Sequence, residues 1–273
     1  MNPLLKRIFK QGSKTYFYAS IFFPPDVKED VFRLYSFVRK ADDYVDCVPQ
    51  QKQEFYGFRD MHRRSLQDEE TGNPVIDGFR ELMVKREFEP SWVEAFLDSM
   101  EADLYIRSYE TVEKLKTYLY GSAEVVGLMM ANILGLDLES HIFARYLGSA
   151  MQYVNFIRDV KEDLWLGRNY FPRREYTDNG LTSLEPSQAY GNPEGFKSFV
   201  RTQLSRYFSW QEIAEEGFRY IPKRYLIPIK TASEMYKWTA RVIHRDPFIV
   251  YERKVKPSVT RIVGTIGYNT LFA

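Results

Sequence analysis

The chain is poor in the residues that anchor many small-protein functions. Among 273 residues there is one cysteine, Cys47, and there are three histidines, His62, His141 and His244. A single thiol rules out an internal disulfide, and histidines so scattered give no zinc-ligand spacing. Charge of one sign is also lacking, since 38 basic against 37 acidic residues leave a net charge of +1. No global field holds a nucleic-acid backbone and no basic patch is large enough to replace it, so DNA and RNA partners are not expected. Apolar runs fall far short of the roughly 20 residues that a membrane-spanning helix needs. The N-terminus has neither the long apolar core nor the small-residue cleavage site of a signal peptide, so a cytoplasmic protein is expected. Gly12-Ser13-Lys14-Thr15 lacks the spacing of a phosphate-binding GxxxxGK[ST] loop, and no GxGxxG follows a strand. Nucleoside triphosphate and Rossmann nicotinamide chemistry are therefore not indicated.

What the chain has in excess is aromatic surface, 20 Tyr, 20 Phe and 4 Trp, or 16% of residues. That fraction suits a large core or a cavity for a long apolar or cationic ligand. Strand signals are nearly absent, and neither a repeat nor a composition shift marks a boundary. The expectation is one all-α domain over 1–273. Pro24-Pro25-Asp26 with Glu29 reads as a capping pair opening a helix over about 27–47. Ser91 with Glu94 repeats the signature for a helix to about 107. Thr111 opens another that Gly135 ends as a left-handed cap. Further helices are predicted over about 139–166, from Asn192-Pro193 to about 217, and over about 222–244.

Two acidic clusters fall on these helices. Val31, Leu34, Tyr35 and Val38 form an apolar stripe that, continued at the helical period, reaches Asp42 and then Val45 and Asp46, with Asp43 beside them. Carboxylates that continue a buried face need a positive partner. On the predicted helix over about 139–166, Gly148, Gln152, Asn155, Asp159 and Asp163 form one polar row, flanked by Leu147, Met151, Val154 and Arg158. Two such rows suggest Mg²⁺, with Mn²⁺ as the substitute, holding phosphate oxygens of a ligand. A diphosphate, helices and many aromatic faces together point to prenyl chemistry. Mg²⁺ prefers oxygen, so Cys47 is read as a packing residue.

The motifs themselves support a resemblance. Ser13-Lys14-Thr15-Tyr16 followed by Leu34 through Asp46 resembles the first signature of the squalene and phytoene synthase family. Tyr120-Gly121-Ser122-Ala123-Glu124-Val125-Val126-Gly127 resembles its middle signature, and Leu147 through Asp163 with Gly167-Arg168-Asn169-Tyr170-Phe171-Pro172 its second aspartate signature. The resemblance implies an isoprenoid synthase helical bundle around a central cavity, in which two prenyl diphosphates are joined head to head through a cyclopropyl diphosphate. It implies that Asp42, Asp46, Asp159 and Asp163 hold magnesium, with Asp43 close by. Lys14, Arg39, Arg158 and Arg253 would bind diphosphate oxygens. Tyr16, Tyr35, Tyr120, Tyr170 and Tyr236 would contact substrate, stabilise cations or handle protons, and Gln152 and Asn155 would line the reacting centre. Glu124 stands where many members carry a small residue, and a helix-surface role is as open as an effect on the cavity.

With no dinucleotide fingerprint and no appended reductase segment, NADPH is not expected, and the product is expected to form by proton loss. Ala19, Ser20, Ala123, Gly127 and Ala131, if they line the cavity, leave room for a C20 chain and favour phytoene from geranylgeranyl diphosphate. The alternative is squalene or dehydrosqualene from farnesyl diphosphate. A class I terpene cyclase, a chain-elongating prenyltransferase and a non-catalytic assembly factor are the remaining readings. Leu4, Leu5, Ile8 and Phe9 alternate with Lys6, Arg7 and Lys10, which reads as a packed surface helix or as peripheral contact with anionic lipid. Oligomeric state is not legible.

Overall fold

The computed structural model describes residues 2–272, including every side chain in that span except those of Lys14 and Phe272. The helices are α1 (Pro3–Gly12), α2 (Lys14–Ser20), α3 (Pro25–Asp46), α4 (Lys52–Ser65), α5 (Pro74–Lys85), α6 (Pro90–Tyr105), α7 (Val112–Leu119) and α8 (Val125–Leu134). They continue with α9 (His141–Trp165), α10 (Arg173–Thr177), α11 (Pro186–Gly191), α12 (Pro193–Glu216), α13 (Lys223–Arg245), α14 (Ile249–Glu252) and α15 (Val259–Phe272). The described residues contain no β-strand, and an isolated parallel bridge joins Ser108 to Asn169. The all-α expectation holds. Among the described residues no helix is long and apolar enough to cross a membrane.

Prolines move two of the expected helix starts. Pro24 is the N-cap of α3, so Asp26 lies inside the first turn, where its charge meets the positive end of the helix dipole without capping an amide. Glu89 precedes Pro90 at the start of α6, and Glu94, instead of reaching back to Ser91, accepts from Arg59 at 2.8 Å. Thr111 does cap α7, accepting from the Lys114 amide at 3.3 Å. The expected single helix from Thr111 to Gly135 is interrupted by a π-turn, Tyr120–Glu124, before α8 closes on Gly135 at φ 65°. Helices α2, α4, α5, α10, α11, α14 and α15 have no counterpart among the predicted ones. In α4 only Phe55, Phe58, His62 and Ser65 are buried, too few for a clear apolar period in so charged a segment.

The π-turn segment and α8 cross α9 at very short range. A methyl group at Gly127 would lie 2.2 Å from the Ala144 carbonyl oxygen, and one at Gly148 would lie 2.4 Å from that of Ala123. Only glycine permits this approach. Two apolar cores flank the crossing, one gathered around Phe37, Phe58, Phe79 and Phe96, the other around Tyr153, Phe171, Phe199 and Tyr207. Leu5 and Phe9 of α1 are buried in the first, leaving Lys6, Arg7 and Lys10 exposed. The apolar side of α1 is therefore taken up by packing.

His62 sits inside the first core, 1% exposed, with its ring 5.2 Å from that of Phe37 and no hydrogen-bond partner at either nitrogen. Burial pushes its pKa down to about 4, with Arg59 adding to the effect and Glu94 opposing it. The unfolded chain therefore binds one more proton than the folded one between about pH 6.5 and pH 4. The stability due to neutral His62 is complete above that window and is lost as pH falls through it, by about 3 kcal/mol. Denaturant unfolding of wild type and His62→Leu at pH 7 and pH 4.5 tests this. The variant should show the shallower loss on acidification, and equal losses would contradict it.

Candidate active site

The stripe on α3 and the row on α9 face a common cavity of about 300 Å³. Val31, Leu34, Tyr35 and Val38 line one wall, and Leu147, Gly148, Met151, Gln152 and Asn155 line another. Ala19, Ser20, Ala123, Gly127 and Ala131, the small residues singled out in the sequence, all lie in its lining. Along α9 the lining runs from near Ser140 to Asn155, roughly 22 Å at the helical rise. The next turns of α3 and α9 carry the aspartates, so an apolar tube ends on acid.

Each helix pairs some of its own carboxylates. Arg39 donates to Asp42 at 2.8 Å and lies 2.6 Å from Asp43. Arg158 grips the neighbouring Asp159 with both arms of its fork, at 2.8 and 2.6 Å. Arg168, at the turn after α9, donates across the site to Asp46 at 2.6 Å, tying the two acidic clusters together. Among the described residues Asp163 has no ion pair. Its pKa is held well above the usual carboxylate range, first by burial and then by the charges of Asp159 and Asp46. Asp42 is raised too, by burial, then by Asp46, against the pull of Arg39. Repulsion that reaches from α9 to Asp46 on α3 shows the clusters facing one another.

The tyrosines divide into two groups. Tyr16, Tyr35 and Tyr236 line the cavity. Tyr35 stacks on Phe9 at 4.0 Å, and the rings of Tyr16 and Tyr236 lie 5.8 Å apart. Tyr120 and Tyr170 are not in that lining. Tyr120 packs against the first core beneath the Arg145 guanidinium, 5.5 Å from its ring. Tyr170 stacks on Phe156 at 4.1 Å and donates to Asp103 at 2.9 Å, so its hydroxyl serves a buried network and does not face the cavity. Arg253 is exposed, and the cations that its segment brings toward α9 are Lys254, 3.2 Å from Asp159 and bonded to Glu162, and Lys256, whose pKa is pushed down by burial and then by the charges of Lys254 and Arg158. The side chain of Lys14 lies outside the described residues. Glu124 is no surface residue, since it accepts from Arg145 at 2.7 Å and Ser149 at 2.8 Å.

The donor set suits a hard divalent cation. It consists of carboxylate oxygens, with Asp42 and Asp163 raised first by burial and then by their acidic neighbours, together with the buried Asn155 Oδ1, which has no hydrogen-bond partner. Among the described residues no three carboxylates already converge on one point, so a ligand's phosphate oxygens would complete any coordination shell. Two residues absent from the sequence reading of the site complete its base. Asp103 of α6 and Tyr118 of α7 form a buried cluster with Tyr170 and Arg168, Tyr118 donating to Asp103 at 2.7 Å. Burial pushes Asp103 up to about 6 despite Arg168 and the two tyrosine hydroxyls.

With the cavity and both acidic clusters in place, comparison is informative. The sequence model of squalene/phytoene synthase matches residues 9–262. The chain belongs to that family. It is 28% identical to the 15-cis-phytoene synthase of Synechocystis sp., over 92% of this chain and 79% of the relative. It is 25% identical to that of Paracoccus sp., over 94% and 86%. Its fold is similar to that of a dehydrosqualene synthase solved in complex with ligand, with a TM-score of 0.87 at 20% identity, covering 98% of this chain and 95% of that one. The squalene synthase HpnC from Alicyclobacillus acidocaldarius gives 0.79 at 21% identity, covering 90% and 93%. The isoprenoid synthase fold and the prenyltransferase class are thus established.

In this geometry Arg39 and Arg158 are free to exchange carboxylate for phosphate only if their planar forks can serve either. Arg39→Lys and Arg158→Lys keep the charge and lose the fork. Calorimetric titration with inorganic diphosphate and Mg²⁺ should show each variant binding about tenfold more weakly, the scale of one charge-assisted hydrogen bond. Unaltered binding in both would mean that the arginines serve the aspartates alone.

Proposed function

We propose that the protein condenses two molecules of geranylgeranyl diphosphate head to head and releases phytoene, without NADPH. The observation that carries this reading is the joint lining of one apolar cavity by five small residues, with Asp42 and Asp159 one helical turn beyond Val38 and Asn155, the last lining residues of α3 and α9. Its curated relatives named 15-cis-phytoene synthase support the same choice.

Asp42, Asp46, Asp159 and Asp163 would hold Mg²⁺, with Asn155 Oδ1 beside them. When bound, the metal neutralises charge on the diphosphate leaving group. Arg39, Arg158 and Lys254 orient the diphosphate oxygens as charge-assisted donors. The aromatic faces of Phe9, Tyr16, Tyr35 and Tyr236 line the space into which the allylic cation is released, where their π-clouds favour positive charge. The apolar wall keeps water, a competing nucleophile, away from that cation. In the first ionisation one diphosphate would depart and the allylic cation would be captured by the double bond of the second substrate, which closes the cyclopropane with loss of a proton. In the second the cyclopropyl diphosphate would lose its own diphosphate, rearrange and give up a second proton to leave the C40 hydrocarbon. Each buried methylene is worth about 0.8 kcal/mol, so the product leaves for lipid and not for water. Peripheral contact with a membrane fits the same reading, and the exposed Lys6, Arg7 and Lys10 of α1 suit an anionic surface.

The deciding experiment incubates the purified protein and Mg²⁺ with C20 and, separately, C15 diphosphate, with and without NADPH, and identifies hydrocarbons by mass spectrometry. A C40 product indifferent to NADPH is expected. Squalene formed only from C15 substrate with NADPH would overturn the reading, as would no hydrocarbon from either substrate.

A further inference from the structure

We infer that Asp103 is a positioning residue whose charge keeps Arg168 in place when Asp46 is claimed by a metal ion, an inference that rests on the reading of the site given above. The Arg168 side chain is 3% exposed, whereas that of Asp46, its close partner, keeps 38%. Arg168 also donates to the Val45 carbonyl, the residue immediately before Asp46, so it sets the backbone and the side chain at the end of α3 together. A carboxylate that turns toward a divalent cation no longer balances a guanidinium to the same degree. A buried guanidinium left without an anion is strongly disfavoured.

While Asp163 feels its charge from farther off, Arg168 has among the described residues one other ion pair, with Asp103, whose Oδ2 lies 3.9 Å from its terminal nitrogen. That distance is an ion pair and not a hydrogen bond, as a reserve counter-charge requires. The Asp103 carboxylate cannot swing away. Tyr118 donates to one of its oxygens at 2.7 Å and Tyr170 to the other at 2.9 Å, while the Tyr170 ring is clamped on Phe156 of α9. Gln50 bridges the C-terminal ends of α3 and α6, donating to the Val45 carbonyl at 2.8 Å and to the Asp103 carbonyl at 2.9 Å. An asparagine would fill the same space and accept from a tyrosine, but it would bring no charge. In its absence the negative charges left to Arg168 would be Asp46 and, from farther off, Asp163, both of them assigned to the metal, so that Arg168 would compete with the metal for them.

The test is the binding of Mn²⁺, followed by electron paramagnetic resonance in the presence of inorganic diphosphate, to the full chain of wild type, Asp103→Asn, Tyr118→Phe, Arg168→Gln and the Asp103→Asn/Arg168→Gln double variant, with circular dichroism as a check on folding. Asp103→Asn should bind Mn²⁺ about tenfold more weakly and Tyr118→Phe a few-fold more weakly. Arg168→Gln should erase any further effect of Asp103→Asn, because the carboxylate acts through the arginine. Unchanged Mn²⁺ affinity in Asp103→Asn, or full additivity in the double variant, would overturn the inference while leaving the function intact. If Asp103→Asn does not fold, Tyr118→Phe decides, and unchanged affinity there overturns it as well. Wild-type protein that binds no Mn²⁺ with diphosphate would instead overturn the reading of the site, and this inference with it.

Discussion

Carboxylates gathered at the ends of α3 and α9 repel one another across a partly dry gap, and the architecture around them is arranged to hold that repulsion. Burial and neighbouring negative charge raise Asp42 and Asp163, the direction expected when ionised groups are forced together away from water. Three arginines restrain the set. Arg39 and Arg158 are paired locally, on the helices that carry the acids, and Arg168 reaches across from one cluster to the other. Arginines held so close to surplus carboxylate are also well placed to meet phosphate oxygens when cations take the carboxylates. On the function proposed above, a metal and diphosphate assembly would relieve that repulsion.

The apolar half of the design depends on close helix crossing. Gly127 and Gly148 let the π-turn segment, α8 and α9 meet at backbone distance, and both glycines also line the cavity. The same absence of side chains thus tightens the bundle outside and widens the tube inside. Phe9, buried from α1, stacks on Tyr35 and closes a wall, so the N-terminal helix is part of the cavity. Acid at one end and hydrocarbon along the length match the two halves of a prenyl diphosphate.

Much of this was legible because helical period converts sequence spacing into direction. Val31, Leu34, Tyr35, Val38 and Asp42 share a face in any α-helix, as do Gly148, Gln152, Asn155 and Asp159. Where local geometry does not settle direction, the sequence misled. Arg253 and Lys254 are neighbours in a non-helical segment, and only the tertiary path decides that Lys254 reaches Asp159. Tyr170 lies within a matching motif, yet its hydroxyl is directed to Asp103, contributed by a helix more than sixty residues earlier. Asp103 and Tyr118 carry no spacing signal at all, because each supplies one group to a network assembled from four separate segments. Prolines at 25 and 90 displaced the expected caps by occupying the first helical position themselves.

The most direct test of this account is the thermal stability of Asp42→Asn against wild type, each with and without Mg²⁺ plus inorganic diphosphate. If the clusters are mutually repelling ligands awaiting a cation, removing one charge should raise the melting temperature of the ligand-free protein. The same change should abolish most of the stabilisation that Mg²⁺ and diphosphate confer on wild type. A variant that melts lower than wild type when ligand-free and still gains the full increment from the ligands would show that the aspartates are structural partners of Arg39 and not a metal-binding set.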